Sequence, residues 1–317
     1  MNSTLPQLSG GLFLSDGGLE TSLVFLDKVE LPHFAAFVLL DSELGRERLR
    51  SYYRPYLELC ADLPDAGFVL ETPTWRANPD WATLLGVDAV RLREVNIQAV
   101  RLMCELKARW APRLGGPVVV SGVIGPRGDG YVATAPDSAA AAADYHAPQV
   151  DALASGGVDM LSAVTMTSAA EALGVSMAAH RAGVAVSISF TLETDGRLPS
   201  GESLEDAIET VDAQSPPAYF AINCAHPSHF VSVLATDRPW RQRIRGVRAN
   251  ASTRSHAELD ASPDLDIGDP QDLAQRYRGL KSALPNLGVL GGCCGTDWRH
   301  LRAIREVWTE TQRGGLP

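Results

Sequence analysis

Eight short apolar, β-prone runs punctuate this 317-residue chain, at residues 12–16, 68–72, 117–123, 160–165, 185–190, 219–223, 244–249 and 287–290. The stretches between them carry apolar residues at helical spacing. Within residues 89–110, for example, Val95, Ala99, Leu102, Met103 and Leu106 fall on one stripe. Residues 138–155 and 203–212 read as helices in the same way, and the alanine run 139–143 suits a helix because alanine is the strongest helix former. Ser203 followed by Asp206 resembles a capping box with Asp in place of Glu or Gln. Strands alternating with helices imply parallel βαβ units. Eight such units predict an α/β fold, a (β/α)8 TIM barrel, with residues 1–317 forming a single domain. A doubly wound open sheet is the alternative. That fold usually announces itself by a G-x-G-x-x-G turn after the first strand, whereas here the first run leads into Asp16-Gly17-Gly18. No GxxxxGK[ST] phosphate loop is present either.

The formal net charge of −10 argues against nucleic acid or an anionic membrane surface as the main partner. No run of about 18 apolar residues exists to span a bilayer. Residues 1–10 are polar and lack a basic leader followed by an apolar core, so no signal peptide and a cytoplasmic location are expected. The chain ends soon after its last helical stretch, near Gln312, without a long arm, which suggests a monomer or homodimer.

The chain holds five cysteines, Cys60, Cys104, Cys224, Cys293 and Cys294. An odd number in a large chain of this kind points away from a disulfide framework. Cys60 and Cys104 fall in helical stretches and read as buried small hydrophobes. The other three differ. Cys224 closes the sixth run in Ile222-Asn223-Cys224, and Cys293 and Cys294 follow the eighth in Gly291-Gly292-Cys293-Cys294-Gly295. In a barrel both positions lie at the C-terminal mouth, where chemistry sits. Three thiolates could then converge on one Zn2+ and leave its fourth position open, as catalytic zinc sites do. The flanking glycines permit backbone angles that other residues resist. A buried cysteine pair or a vicinal disulfide is the plainer alternative. His226 and His229 follow Cys224 closely, as loop residues, outer partners of a metal site or alternative ligands. Residues 197–202 and 254–270 read as loops on the same face and are candidate lids.

These strings resemble those of the homocysteine S-methyltransferase family. Asp16-Gly17-Gly18-Leu19-Glu20-Thr21 resembles its N-terminal DGG-x-x-T element, Thr72-Pro73-Thr74-Trp75 its TNTY element, and Gly246-Val247-Arg248-Ala249-Asn250 its GxxPN element. The resemblance spans roughly residues 11–305. It implies a zinc-dependent barrel enzyme with Cys224, Cys293 and Cys294 as ligands. A substrate thiol would take the fourth position and be held as the nucleophilic thiolate. The methyl donor would be a sulfonium or quaternary ammonium compound, such as S-methylmethionine, S-adenosylmethionine, betaine or dimethylsulfoniopropionate. Carried over by position, Asp16, Gly17, Thr21, Thr74, Trp75, Val164, Thr165 and Asn250 would line the substrate site. Asp16 could bind the acceptor's ammonium or serve as a turn residue. Trp75 stands where the family has Tyr and could face a cationic donor, an attraction of about 0.5–2 kcal/mol, or pack in the core. Asn250 could orient a ligand or cap a turn.

The chain also departs from the family. Val164 occupies the strand-four position where family members carry a Glu that helps bind the amino group of homocysteine, and Pro73 replaces an Asn. Valine accepts no hydrogen bond, so an ammonium beside it loses a charge-assisted partner. Either another carboxylate, Glu193 or Glu71, takes that place, or the acceptor is a different thiol or a selenol. Glu71 and Arg76 are unusual charges beside the second strand and suggest a remodelled pocket. Other classes fit less well. A zinc hydrolase prefers His and carboxylate ligands, and no HxH or HExxH occurs. A Schiff-base enzyme needs a strand-end lysine, and the chain has only Lys28, Lys107 and Lys281. A non-catalytic zinc or redox sensor remains as a reading of the vicinal cysteines.

Overall fold

The computed structural model describes residues 5–133 and 138–313; residues 1–4 of the polar N-terminal stretch lie outside the described residues. Eight strands, β1 (Phe13–Leu14), β2 (Gly67–Glu71), β3 (Val118–Ile124), β4 (Met160–Met166), β5 (Val186–Phe190), β6 (Tyr219–Asn223), β7 (Ile244–Ala249) and β8 (Val289–Gly292), pair in parallel and in chain order. The sheet closes on itself where Phe13 and Leu14 of β1 pair with Val289 and Leu290 of β8. The expected (β/α)8 barrel is therefore the observed fold, and an open doubly wound sheet is ruled out by that closing pair. Long helices return the chain after seven of the strands: Glu43–Ala61, Ala89–Trp110, Ala139–Gly156, Ala169–Arg181, Leu204–Gln214, Pro270–Ala283 and Trp298–Arg313. Between β6 and β7 the return shrinks to Pro227–Phe230 and the 3-10 turn Pro239–Arg243. No helix among the described residues is long and apolar enough to cross a membrane.

β6 and β7 fall where the sequence places them. β8 begins two residues later than expected and takes in Gly291 and Gly292, because these pair with Arg248 and Ala249 of β7. Helix Ala89–Trp110 buries the whole predicted stripe of Val95, Ala99, Leu102, Met103 and Leu106. Cys104 contradicts the expectation of burial: it is exposed. It points away from the stripe formed by its neighbours Met103 and Leu106, so the helix turns its thiol to solvent. Cys60 is fully buried, as expected. Ser203 caps helix Leu204–Gln214 by accepting from the Asp206 amide at 3.1 Å. The Asp206 carboxylate accepts from the Ser203 hydroxyl at 2.6 Å rather than reaching back to its amide, as the shorter side chain would suggest.

Side chains at alternate positions along each strand share a face, and inside the barrel they stack in layers. The bottom layer is apolar: Phe13, Val69, Val119, Met160, Tyr219 and Val289 pack together beneath Leu5. Two residues further along, the layer becomes small and polar. Ser121, Ser162 and Ser187 are linked hydroxyl to hydroxyl at 2.7 and 3.2 Å. Two residues beyond that, Val123, Val164, Asn223, Arg248 and Cys293 reach the mouth and, with Glu71 from the level of Ser121, line a cavity. The serine layer lies one level below these mouth residues.

Native-state labelling with a small thiol reagent should modify Cys104 and spare Cys60, whose thiol burial pushes up to about 12. Peptide mass mapping reads the outcome, and Cys60 labelling before global unfolding would contradict this packing.

Candidate metal centre and cavity

Cys224 directly follows β6, and Cys293 and Cys294 directly follow β8. The three Sγ atoms lie within 4.8 Å of one another, with Cys224 and Cys294 3.6 Å apart. A tetrahedral zinc with Zn–S bonds of about 2.3 Å spaces its sulfurs about 3.8 Å apart. The donor set therefore fits that ion in number, chemistry and spacing.

The convergence has a backbone cause. Cys224 adopts φ +55°, the left-handed region that side-chain-bearing residues rarely enter, at a cost of about 1–3 kcal/mol. Its neighbours hold it there. The Cys224 amide donates to Arg248 O at 3.0 Å. The Cys224 carbonyl accepts from His256 Nε2 at 2.7 Å, Asn250 Nδ2 at 3.1 Å and Thr191 Oγ1 at 3.4 Å. On the β8 side only Gly295 takes a positive φ, +77°, turning the chain away after Cys294. Gly291 matters for space instead: a Cβ there would collide with Ser15 Oγ and crowd Arg248 Cγ. The freedom expected of the glycines thus lies in Gly295, and the strained angle sits on a cysteine.

The thiols titrate unequally. Hydrogen bonds from Cys224 and then Cys294 hold Cys293 well below the ordinary thiol range against the opposing effect of burial, and the Arg248 charge adds to them. Tyr131 caps the cluster, its hydroxyl 3.1 Å from Cys224 Sγ and 3.4 Å from Cys294 Sγ. Burial raises this phenol well above its usual range, so it stays protonated while in hydrogen-bond contact with both sulfurs. Its ring stacks on His256 with centroids 4.0 Å apart.

A cavity of about 350 Å³ opens beside the sulfurs. Of the expected lids, residues 254–270 contribute wall residues, among them Leu259, Asp260 and Leu265. Residues 197–202 do not line it. They are tied to the β4–helix junction through Ser200 N to Thr167 O and Ala169 N to Glu202 Oε2.

A buried charge network in the cavity wall centres on Arg248. Its Nη2 donates to Asp16 Oδ1 at 2.7 Å and Gly17 O at 3.2 Å, and its Nε to Gly292 O at 3.0 Å. Its Nη1 forms an ion pair with Glu71. Tyr52 donates to the second oxygen of Asp16 at 3.0 Å. One guanidinium therefore joins the ends of β1, β2, β7 and β8.

Asp16, Gly17, Thr21, Trp75, Val164 and Thr165 line the cavity together with the three cysteines. Asp16, however, is occupied by Arg248. Trp75 carries the chain's own Arg76, with Cζ 4.6 Å from its ring centroid. Thr165, at φ +61°, is pinned by Asn223, whose side chain bonds both its amide and its hydroxyl. Three residues do not face the cavity. Thr74 is fully buried, and its hydroxyl donates to Val123 O at 2.6 Å. Asn250 is spent on the Cys224 carbonyl. Glu193 lies 3.1 Å from His256 Nδ1, so it is an outer partner of His256. His226 and His229 are not among the clustered metal-ligating groups. His226 caps a helical turn through Ser228, and His229 bonds Thr253 O at 2.9 Å. Burial pushes His226 down to about 4, so it stays neutral. Tyr131, His256 and Arg248 were not singled out from sequence. The Gly-rich segment 125–131 and the lid segment 254–270 were the available signals for the first two.

A closed (β/α)8 barrel with three converging thiols at its C-terminal mouth defines the class of protein. The chain belongs to the homocysteine S-methyltransferase family, whose model matches residues 13–308. It is 22% identical to homocysteine S-methyltransferase 1 of Zea mays over 94% of this chain and 95% of that one. It is 23% identical to homocysteine S-methyltransferase 1 of Brassica oleracea var. italica over 93% of each. Among solved structures it resembles the Escherichia coli homocysteine methyltransferase MmuM in its oxidized form. That match has a TM-score of 0.76 and 20% identity, covering 96% of this chain and 98% of that one. The metallated form of MmuM matches with a TM-score of 0.73 and 20% identity, covering 94% and 96%. These structural matches bear on the fold.

Arg248→Met should destabilise the protein by about 3–5 kcal/mol, because it leaves two buried carboxylates unpaired. Freed of the guanidinium, both carboxylates would titrate higher in the folded than in the unfolded state. The loss should therefore be larger at pH 8 than at pH 5 in urea unfolding, and an equal loss at both would refute the ion-pair account. Burial likewise lifts Glu20 from 4.5 to about 7. Between those values the folded protein keeps a proton that the unfolded chain has released, so stability falls as pH rises through this window. Glu20→Gln should raise the Tm at pH 8, with the difference narrowing toward pH 5.

Proposed function

We propose that the chain is a zinc-dependent S-methyltransferase that moves a methyl group from a sulfonium or quaternary ammonium donor to a thiol, with homocysteine, giving methionine, as the leading acceptor. The observation that carries this reading is the cluster of Cys224, Cys293 and Cys294 opening onto a cavity of substrate size. Family membership supports the same reaction class. Zinc held by these three residues would supply an open coordination position that keeps an acceptor thiol deprotonated near neutral pH. The chain's own residues would do the rest. Tyr131 steadies the sulfurs with its hydroxyl, and Asn250 and His256 fix the Cys224 backbone. The lid segment 254–270 narrows access to bulk water. Asp16, Glu20, Glu71, Asp129 and Asp260 give the cavity an anionic bias against Arg76 and Arg248, which suits a cationic donor. The donor's methyl carbon would be attacked in line, so positioning would supply much of the rate.

A second acceptor, another thiol or a selenol, is favoured by a specific observation. Val164 offers no carboxylate, and Asp16 and Glu71 are already paired with Arg248. The non-catalytic sensor reading leaves the cavity unexplained.

Zinc-loaded protein supplied with homocysteine and S-methylmethionine should form methionine, read by mass spectrometry. Cys224→Ala and Cys294→Ala should each lower the rate about a hundredfold or more, since loss of even an outer partner costs about 10–100-fold. Full zinc occupancy without methyl transfer to any thiol or selenol, from any sulfonium or ammonium donor, would sink the proposal.

A further inference from the structure

Arg76 lines the same cavity as the three thiols, yet it is bonded quite differently from Arg248. Its guanidinium lies between two indoles, with Cζ 4.6 Å from the Trp75 ring centroid and 3.7 Å from that of Trp81. Its Nε is buried with no hydrogen-bond partner. Among the described residues no carboxylate lies within ion-pair distance, and Asp129, Glu20 and Asp260 act on it only through space. Arginine presents five donors in a rigid planar fork. Burying Nε without a partner is costly, and folded proteins seldom leave such a donor unmatched, whereas Nη1 and Nη2 are not buried in this way and stay open to a ligand. Both indoles present a ring to the guanidinium carbon and restrict where the side chain can lie. The edge, which carries the donors, remains for something planar and anionic, and a carboxylate matches that fork with two parallel hydrogen bonds.

A second unmatched charge shares the cavity. Glu20 lines it and forms no ion pair among the described residues. Among the described residues, an unpaired cation together with the unpaired carboxyls of Glu20 and Asp260 in one 350 Å³ cavity complements a zwitterion.

We infer that Arg76 anchors the carboxylate of an α-amino-acid substrate through the free edge of its guanidinium, while Glu20 faces the ammonium of the same substrate. This rests on the thiol methyltransferase reading and adds to it the group that recognises the headgroup. Either substrate could carry that headgroup, the thiol acceptor or the sulfonium donor, and the two are separable.

The test uses full-length protein loaded with Co2+, whose thiolate absorption reports an acceptor sulfur at the metal without any turnover. Wild type and Arg76→Gln are titrated with homocysteine and with 3-mercaptopropylamine, which lacks only the carboxylate. If the acceptor carries the headgroup, wild type prefers homocysteine by about tenfold or more, the size of a lost charge-assisted bond. Arg76→Gln then reduces that preference to within about twofold, leaves 3-mercaptopropylamine affinity unchanged, and Arg76→Lys restores part of it. If the donor carries it, acceptor affinities are unchanged. With zinc-loaded protein, the KM for S-methylmethionine then rises about tenfold or more in Arg76→Gln, while the KM for trimethylsulfonium does not. Cobalt stoichiometry and 3-mercaptopropylamine binding show that the variant is folded. Overturning the inference takes wild-type protein that binds thiols normally together with an Arg76→Gln variant within twofold on every measure. That result would assign Arg76 to an internal contact with Asp129 or Asp260. A wild-type cobalt spectrum that responds to no thiol overturns the methyltransferase reading itself and the inference with it.

Discussion

The backbone of Cys224 is the constraint on which the thiol cluster depends. A residue with a side chain at φ +55° stays there only when its surroundings over-determine it. Here three donors from three separate segments, Thr191, Asn250 and His256, converge on one carbonyl, while the amide is held by β7. With Cys224 turned this way, its sulfur meets the pair that follows β8. The lid segment contributes His256, and the β3 loop contributes Tyr131, stacked on that histidine and bonded to the sulfurs. The positions of the three thiols, the lid segment and the β3 loop are thereby coupled through a handful of bonds.

A second network, centred on Arg248, fixes the other wall. It joins four strand ends around one guanidinium and takes up Asp16 and Glu71. Buried ion pairs of this kind add little net stability over an apolar equivalent, but breaking one side is expensive. The consequence for recognition is larger than for stability. Asp16 is neutralised internally, and Val164 contributes no charge. Among the described residues, Arg76, Glu20 and Asp260 line the mouth without an ion pair. The three thiols are thus set in a barrel whose unpaired charges stand at positions other than Asp16 and Val164.

Much of this was legible in the sequence, for identifiable reasons. The strand runs are continuous and short, the helix stripes are periodic, and the three cysteines sit next to strand ends, so local pattern and site coincide. Val164 lines the cavity wall. What the sequence hid depends on distant partners. Tyr131 is 93 residues from Cys224, and Arg248 is 232 from Asp16. No local period marks either contact. Thr74, Glu193 and Asn250 carry the right chemistry beside the site but are spent on Val123, His256 and Cys224, a distinction that only side-chain direction reveals. His226 and His229 lie close in sequence to Cys224, yet the one-turn helix after β6 carries them away from the cavity, while His256, 32 residues downstream of Cys224, reaches its carbonyl. Cys104 shares a helix with the buried stripe but lies on the opposite face, which side-chain direction alone reveals.

X-ray absorption at the zinc edge of metal-loaded protein, with and without homocysteine, addresses the central claim most directly. The account predicts three sulfur neighbours at about 2.3 Å, rising to four when the thiol is added. Imidazole nitrogen among the protein ligands, or a sulfur count that does not change with any thiol, would contradict it.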